Sequence, residues 1–101
     1  KIKLNKENHP AKSVYWMTTI YIQKSKQRLL ASNLAKKLKK KMIDSRPVFP
    51  SISTYPMWKS KNNYFSKEFS KYSLNLPSGH DLNKQTVKYI SKSLIQILSK
   101  D

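Results

Sequence analysis

The sequence contains no cysteine and only one glycine among its 101 residues. Without cysteine the chain has no disulfide framework, no thiol nucleophile and no cysteine-ligated zinc, which fits a reducing compartment. With one glycine it cannot build the glycine-rich phosphate cradles of P-loop or Rossmann proteins. These absences exclude several classes of self-sufficient enzyme.

Acidic residues and long apolar runs are also scarce. Only five residues are acidic, and no two of them have the spacing expected of an acid–base catalytic pair. His9 and His80 are far apart and no acid–histidine cluster lies beside them, so no metal site is expected. No apolar run approaches the ~20 residues that cross a bilayer, and the N-terminal residues lack the apolar segment of a signal peptide. The missing initial Met indicates a fragment or a processed product.

Positive charge is the most prominent property that the sequence does have. The chain has 21 Lys and Arg against 5 acidic residues, a net charge of +16. A small basic nucleic-acid-binding module, using the lysine run 36–41 and aromatic stacking, is therefore an alternative hypothesis. Only Arg28 and Arg46 are arginine, the preferred residue for bidentate contacts to phosphate and guanine. We therefore interpret most of the charge as a solvated surface bias and expect no nucleic-acid partner.

The first half of the chain predicts a strand, a helix and a second strand. Residues 1–13 are polar and extended, because His9-Pro10 disfavours a helix. The β-branched and aromatic run 14–22 predicts a strand. A helix is predicted from a Ser25 cap to about Lys41, with leucines recurring every fourth residue. Residues 43–49 then predict a short strand, which Pro47 places at an edge or an end.

The second half predicts two helices around a short extended segment. Asn62 or Asn63 caps a helix through Tyr72, with Tyr64, Phe65, Phe69 and Tyr72 packing on one side. Residues 74–76 are extended, and Asn83 caps a final helix with an amphipathic pattern. The fold class is therefore α/β, a largely antiparallel small sheet covered by helices. A membrane-surface role for the final helix is a further alternative, but an apolar helix face is usually core, and we expect no membrane partner.

An ordered set of motifs resembles a known enzyme family. In chain order these are residues 11–17 (AKSVYWM), the leucine-spaced helix, 43–50 (IDSRPVFP), 55–57 (YPM), 74–79 (LNLPSG) and the closing helix. Together they resemble the C-terminal small domain of the DegT/DnrJ/EryC1/StrS aminotransferases, and among these the perosamine-synthase-like members.

The resemblance implies a part of a fold-type I, pyridoxal 5'-phosphate-dependent transferase. Such an enzyme is a cytoplasmic homodimer that moves an amino group, with glutamate as the expected donor, to a nucleotide-linked keto-sugar in polysaccharide biosynthesis. Residues 1–13 would lead in from a large domain, and residues 14–101 would form the small domain. The large domain would carry the cofactor lysine, so this segment alone is expected to bind no cofactor, supply no catalytic residue and have no activity.

The resemblance also implies which residues line the substrate pocket. Arg46 would contact the diphosphate, because its forked donors reach two oxygens; pairing with Asp44 is the alternative. One ring among Tyr15, Trp16 and Phe49 could stack on the sugar or base, although a core or interface role is the usual one for such rings. The remaining candidates are Asn75, Ser78 and His80, with Gly79 allowing a tight backbone turn.

The sequence departs from the family pattern at positions that usually hold glycine or histidine. Met42 stands where a helix must end, and Ser73 precedes the LNLP run; a non-glycine in the left-handed conformation costs on the order of 1 kcal/mol. Ser53 and Thr54 occupy a stretch that often contains histidine. These departures put contacts from that loop, and the identity of the sugar, in doubt.

Overall fold

A computed structural model describes residues 2–23, 28–58 and 63–100 of the chain. Within these residues four strands and three α-helices follow one another. They are β1 (Ile2–Leu4), β2 (Thr18–Ile22), α1 (Ala31–Lys39), β3 (Arg46–Pro47), α2 (Tyr64–Tyr72), β4 (Ser73–Leu76) and α3 (Lys84–Lys100), with a 3₁₀ turn at Ile52–Thr54. The described helices include none that is long and apolar enough to cross a membrane.

The four strands form one antiparallel sheet in the order β1-β2-β4-β3. Ile20 lies opposite Leu74, and Thr19 lies opposite Asn75. Because successive side chains of a strand point to opposite faces, Ile20 and Leu74 share a first face, and Thr19, Tyr21 and Asn75 share a second face. The prediction of a small α/β unit with a largely antiparallel sheet is confirmed.

The first sheet face carries the hydrophobic core. Among residues 2–23, 28–58 and 63–100, ten buried apolar residues form this core. They come from β2, α1, β4, α3 and the residue after the α1 turn: Ile20, Ile22, Ala31, Leu34, Leu38, Ile43, Leu74, Ile90, Leu94 and Ile97. The positions on α1 and α3 repeat every three or four residues, which places them on one side of each helix. The predicted apolar faces of both helices are therefore the core faces.

The second sheet face is only partly covered, by α2. Tyr21 stacks on Phe69 with ring centroids 5.9 Å apart, and the Tyr21 hydroxyl donates to Glu68 at 3.4 Å. The prediction that Tyr64 and Phe65 pack with Phe69 on one side of this helix is wrong, because both side chains are exposed. Within the described residues, a cavity lies on this face beside α2.

The predicted boundaries differ from the observed ones at the strand and helix starts. The strand predicted from residue 14 begins at Thr18, because Tyr15 has φ +48° and cannot continue an extended strand. The helix predicted from Ser25 begins at Ala31, since Leu30 is still extended; Ser25 itself lies outside the described residues. Pairing of Ile2–Leu4 with β2 was not predicted.

The helix caps were predicted more accurately. The Asn83 side chain accepts a hydrogen bond from the Thr86 backbone N–H at 2.9 Å, so the cap of α3 is confirmed. Asn63 precedes α2 but makes no capping bond with its side chain, and Asn62 lies outside the described residues.

Pro47 belongs to the edge strand β3, as predicted.

Candidate functional site

The sheet topology gathers three loops at one end of the molecule. Thr18 pairs with Leu76 and Arg46 with Asn75. Because β2 and β3 both run antiparallel to β4, the starts of β2 and β3 lie beside the end of β4. The Ser78 hydroxyl donates to the Trp16 backbone carbonyl at 3.4 Å, which ties the loop after β4 to the loop before β2. Residues far apart in sequence therefore meet there.

A cavity of about 410 Å³ opens on the second sheet face at this end, and we call it the aromatic cavity. Its lining is Lys3, Leu4, Asn5, Trp16, Met17, Thr19, Tyr21, Val48, Phe49, Phe69 and Asn75. Trp16 is 71% exposed and Phe49 is 73% exposed, so neither ring is a core side chain. Four rings around one open cavity can bind a planar or apolar ligand face.

A smaller and more polar cavity of about 190 Å³ adjoins the first, and we call it the Arg46 cleft. Met17, Asp44, Ser45, Arg46, Asn75, Leu76, Pro77 and Ser78 line it. A guanidinium nitrogen of Arg46 lies 3.7 Å from a carboxylate oxygen of Asp44, and both side chains are highly exposed. Exposed pairs of this kind contribute about 0–1 kcal/mol, so a ligand anion can compete for Arg46.

Asn75 and Met17 line both cavities. The Asn75 side-chain oxygen accepts a hydrogen bond from the Thr19 hydroxyl at 2.7 Å. The Asn75 amide nitrogen donates to the Met17 sulfur at 3.2 Å. Because a thioether is a weak acceptor, this amide nitrogen can redirect its hydrogen bonds to a ligand at the junction.

The structure thus brings together five of the seven sequence-predicted binding residues. Trp16 and Phe49 line the aromatic cavity, Arg46 and Ser78 line the cleft, and Asn75 lines both. Neither lining includes Tyr15 or His80. Ser53 and Thr54, in the 3₁₀ turn, do not line these cavities either.

Gly79 lies at the start of a turn in which the Leu82 backbone N–H donates to the Gly79 carbonyl at 3.3 Å. Its φ is not positive, so a left-handed backbone is not the reason for glycine here. A Cβ atom at this position would meet the carboxylate of Asp81. The absence of a side chain at Gly79 therefore leaves room for Asp81.

Sequence reasoning missed the residues that fix the back of the aromatic cavity. Arg28 follows β2, and its guanidinium forms an ion pair with Glu68 on α2 and donates to the Ile22 carbonyl at 2.8 Å. The same guanidinium lies 3.4 Å from the ring centroid of Tyr72 and 5.0 Å from that of Tyr21. Arg28 therefore holds α2, and with it Phe69, against the sheet.

The side chains that contact Arg28 stabilise its charged form. Burial alone would lower the pKa of Arg28, but the hydrogen bonds to Glu68 and Tyr21 outweigh burial, and the pKa lies above its ordinary value. The only sequence signal for this role was the rarity of arginine among the cations. Neither hydrophobic periodicity nor a sequence motif can identify a residue between a strand and a helix as an ion-pair partner.

The part of the chain that the structure describes contains no cluster of metal-ligand side chains. No three His, Cys, Asp or Glu side chains lie together there as a metal site would require. The donors at the two cavities include the Arg46 guanidinium, the Lys3 ammonium, hydroxyls and the amides of Asn5 and Asn75. Such donors bind oxyanions and sugar hydroxyls.

Comparison with known proteins identifies the family of this chain. The DegT/DnrJ/EryC1/StrS aminotransferase family matches residues 1–95. The chain is also 29% identical over 100 residues to the GDP-perosamine synthase of Escherichia coli O157:H7; the match covers 97% of this chain and 27% of that relative. The chain therefore spans about a quarter of the relative's length. The match to nearly the whole chain shows that it belongs to the DegT/DnrJ/EryC1/StrS aminotransferase family.

Proposed function

We propose that this chain is the C-terminal small domain of a sugar aminotransferase of fold type I that uses pyridoxal 5'-phosphate. The enzyme would be a cytoplasmic homodimer acting on a nucleotide-linked keto-sugar, with glutamate as amino donor, in polysaccharide biosynthesis. Residues 1–13 would lead in from a large domain, and residues 14–101 would form the small domain. The family match and the name of the relative support the reaction class.

The observation that carries the proposal is the meeting of five predicted binding residues at one end of the sheet. Arg46 binds diphosphate oxygens, because a guanidinium reaches two of them at once. Trp16 and Phe49 contact the flat parts of the substrate, and Asn75 and Ser78 supply hydrogen bonds. Tyr15 and His80 approach the substrate from the neighbouring loops. This segment binds and orients the substrate and excludes water from it.

The cofactor would accept electrons during amino transfer, and its lysine is assigned to another part of the enzyme. A Schiff-base lysine must be partly desolvated. Among the lysines whose side chains the structure describes, Lys37 and Lys41 are half-buried and the others are exposed. These lysines do not fit a cofactor site, and the chain's own contribution is substrate binding.

The test is a chimera in which these 101 residues replace the matching segment of the E. coli O157:H7 relative. We expect the chimera to bind pyridoxal 5'-phosphate and to transaminate the relative's substrate. Within it, Arg46→Met should raise KM for the nucleotide-sugar about tenfold or more, because hydrogen bonds to charged groups contribute about 1.5–3 kcal/mol. Lys39→Met removes one charge from an exposed site on α1 and is the matched control.

Two results would contradict the proposal. A chimera that dimerises and takes up the cofactor as the parent enzyme does, yet turns over no sugar substrate, would overturn the proposed function. An Arg46→Met chimera with the same KM as the Lys39→Met chimera would remove Arg46 from the substrate site.

A further inference from the structure

We infer that the outer side of the layer formed by α1 and α3 is a peripheral binding surface for an anionic lipid membrane. We call this side the lysine face. Its exposed lysines come from both helices, and they are Lys36, Lys39 and Lys40 on α1 and Lys84, Lys88 and Lys92 on α3. The inference goes beyond the proposed function, because none of these lysines lines the aromatic cavity or the Arg46 cleft.

The packing of the two helices brings their lysines onto one surface. Both α1 and α3 bury one side in the core on the first sheet face, so the opposite sides of both helices face away from the sheet. The Tyr89 hydroxyl of α3 donates to the Lys41 backbone carbonyl at 2.9 Å, and the Lys41 ammonium donates to the Gln96 side chain at 3.3 Å. Lys92 is about one helical turn from both Tyr89 and Gln96, and it therefore lies next to the end of α1.

The lysine face has no acidic residue on its own helices. Neither Ala31–Lys39 nor Lys84–Lys100 contains Asp or Glu. The nearest acids in sequence lie in the flanking loops, where Asp44 pairs with Arg46 and Asp81 precedes the cap of α3. Like charges gathered on one surface repel one another, and a partner surface of opposite charge offsets that repulsion. This face therefore attracts an anionic partner.

Exposed aliphatic side chains beside the lysines favour a bilayer over a nucleic acid. Met42 follows the lysine run of α1 and is 93% exposed. Ile95 is 66% exposed and lies on the same side of α3 as Lys88 and Lys92. Side chains of this kind enter the boundary between headgroups and acyl chains, while lysine stems extend toward the headgroups. Nucleic-acid surfaces rely instead on arginine and aromatic rings, and both arginines of the chain lie outside α1 and α3.

This contact differs from membrane insertion of the amphipathic face of α3. That apolar face belongs to the core, since Ile90, Leu94 and Ile97 are buried. The membrane instead meets the opposite, charged side of α3 together with the outer side of α1. The inference therefore replaces the expectation of no membrane partner, because the pairing of two lysine-bearing helices on one surface is not visible in the sequence.

The experiment measures co-sedimentation of the 101-residue chain with lipid vesicles at about 0.1 M NaCl. We expect binding to phosphatidylcholine vesicles that contain about 30% phosphatidylserine, because each lysine near an anionic surface strengthens partitioning about fivefold. We expect no binding to vesicles of phosphatidylcholine alone, which lack the negative surface potential.

Removal of charge from each helix tests whether the lysine face acts as one surface. Lys36→Gln with Lys40→Gln changes α1, and Lys88→Gln with Lys92→Gln changes α3. Each double variant should weaken binding to the anionic vesicles about tenfold or more, because all four lysines are exposed on the outer side of the helix layer.

The matched control removes the same charge from elsewhere on the chain. Lys6→Gln with Lys67→Gln changes two exposed lysines outside the lysine face, and Lys67 belongs to α2 on the second sheet face. This control should change vesicle binding by no more than about twofold. Circular dichroism would check that every variant keeps the fold.

Met42→Gly separates contact with lipid from stability of the fold. It should weaken binding to the anionic vesicles about threefold or more, because the exposed methionine side chain no longer enters the bilayer surface. The same substitution stabilises the fold, since glycine adopts positive φ without strain, so weaker binding would not reflect unfolding. Met57→Gly removes another exposed methionine, outside the lysine face, and should leave binding unchanged.

The inference is overturned if the chain does not bind the anionic vesicles, if it binds neutral vesicles equally well, or if either lysine double variant binds like the control. It is also overturned if Met42→Gly binds as tightly as Met57→Gly. A chain that binds a duplex DNA oligonucleotide through these lysines, but not the vesicles, would assign the lysine face to nucleic acid instead. None of these results depends on turnover of a sugar substrate, so they are distinct from failure of the proposed function.

Discussion

Met42 is a non-glycine residue in a left-handed backbone conformation that favours glycine. It has φ +58° and is 93% exposed. The Ile43 N–H donates to the Leu38 carbonyl at 3.1 Å, and the Met42 N–H donates to the Lys39 carbonyl at 3.0 Å. This is the Schellman arrangement, in which the residue at Met42 adopts the left-handed conformation. The helix therefore ends in the left-handed geometry that usually favours glycine, and not in another geometry.

We predict that Met42→Gly stabilises the fold by about 1 kcal/mol, because glycine adopts positive φ without the Cβ clash. No packing is lost, since the methionine side chain is in solvent. A gain of this size should raise Tm by about 4–8 °C in a domain of this length, measured by circular dichroism.

Ser73→Gly is the matched control, because Ser73 also stands where the family usually has glycine. Ser73 has φ −114° and begins a strand, so glycine there should destabilise by loss of chain entropy. Equal effects of the two substitutions would contradict the conformational argument.

The two glycine positions also show what the sequence can reveal about single residues. The resemblance to the family, in which glycine usually precedes the IDSRP run, is the signal that located Met42. The same signal failed at Ser73, because α2 passes directly into β4 without a left-handed residue. The unpartnered hydroxyl of Ser45 has no sequence signal at all, since it depends on what packs around it.

At the level of helices and strands, the attachment of α2 depends on one buried cation. The Arg28 side chain is 9% exposed and that of Glu68 is 16% exposed. Their ion pair, with the ring of Tyr72 beneath the guanidinium, joins the end of β2 to α2. The aromatic residues on the outer side of α2 are exposed and add little to this attachment.

We predict that Arg28→Met destabilises the fold by about 3 kcal/mol, because it removes the cation that faces the largely buried Glu68 carboxylate. The double substitution Arg28→Met with Glu68→Gln should recover about 1 kcal/mol or more of that loss. Urea unfolding of the wild type, both single variants and the double variant measures the coupling. Additive single effects would show that the pair contributes nothing.

The pH dependence of this contribution follows from the raised pKa of Arg28. A cation whose pKa is raised on folding stabilises the fold fully below its unfolded pKa, and this stabilisation is lost only as pH rises through the folded pKa. The unfolded value itself already lies far above neutral pH. The deprotonation of Arg28 therefore adds no pH dependence to the effect of Arg28→Met between about pH 6 and pH 9.

Periodicity predicted these elements better than it predicted their ends. The leucine spacing of α1 and the amphipathic pattern of α3 are set by burial against one sheet face, so they are visible in the sequence. The aromatic run before Thr18 looked like strand because its residues favour strands, yet its rings line a cavity or face solvent. A functional loop and a strand can thus share one composition.

Across the whole molecule, a small core coexists with a large unbalanced charge. Ten apolar residues of the described part of the chain form the buried cluster, while the net charge of the sequence is +16. Such a charge destabilises a compact state by self-repulsion. The Cα radius of gyration is 14.8 Å, well below the Debye length of about 30 Å at 0.01 M salt and above that of about 8 Å at 0.15 M. Most of the charges therefore repel one another only at low salt.

We predict that Tm rises by about 5 °C between 0.01 M and 0.3 M NaCl, because screening removes a repulsion of the order of 1 kcal/mol. A variant with Lys36, Lys39 and Lys40 changed to Gln should show a shallower rise, since it lowers the charge from +16 to +13 by removing three cations. The matched variant with the same three residues changed to Arg should keep the full slope. A Tm that falls with added salt would mean that attractive pairs such as Arg28–Glu68 outweigh the repulsion among the lysines, and the surface charge could then not be treated as a uniform solvated excess.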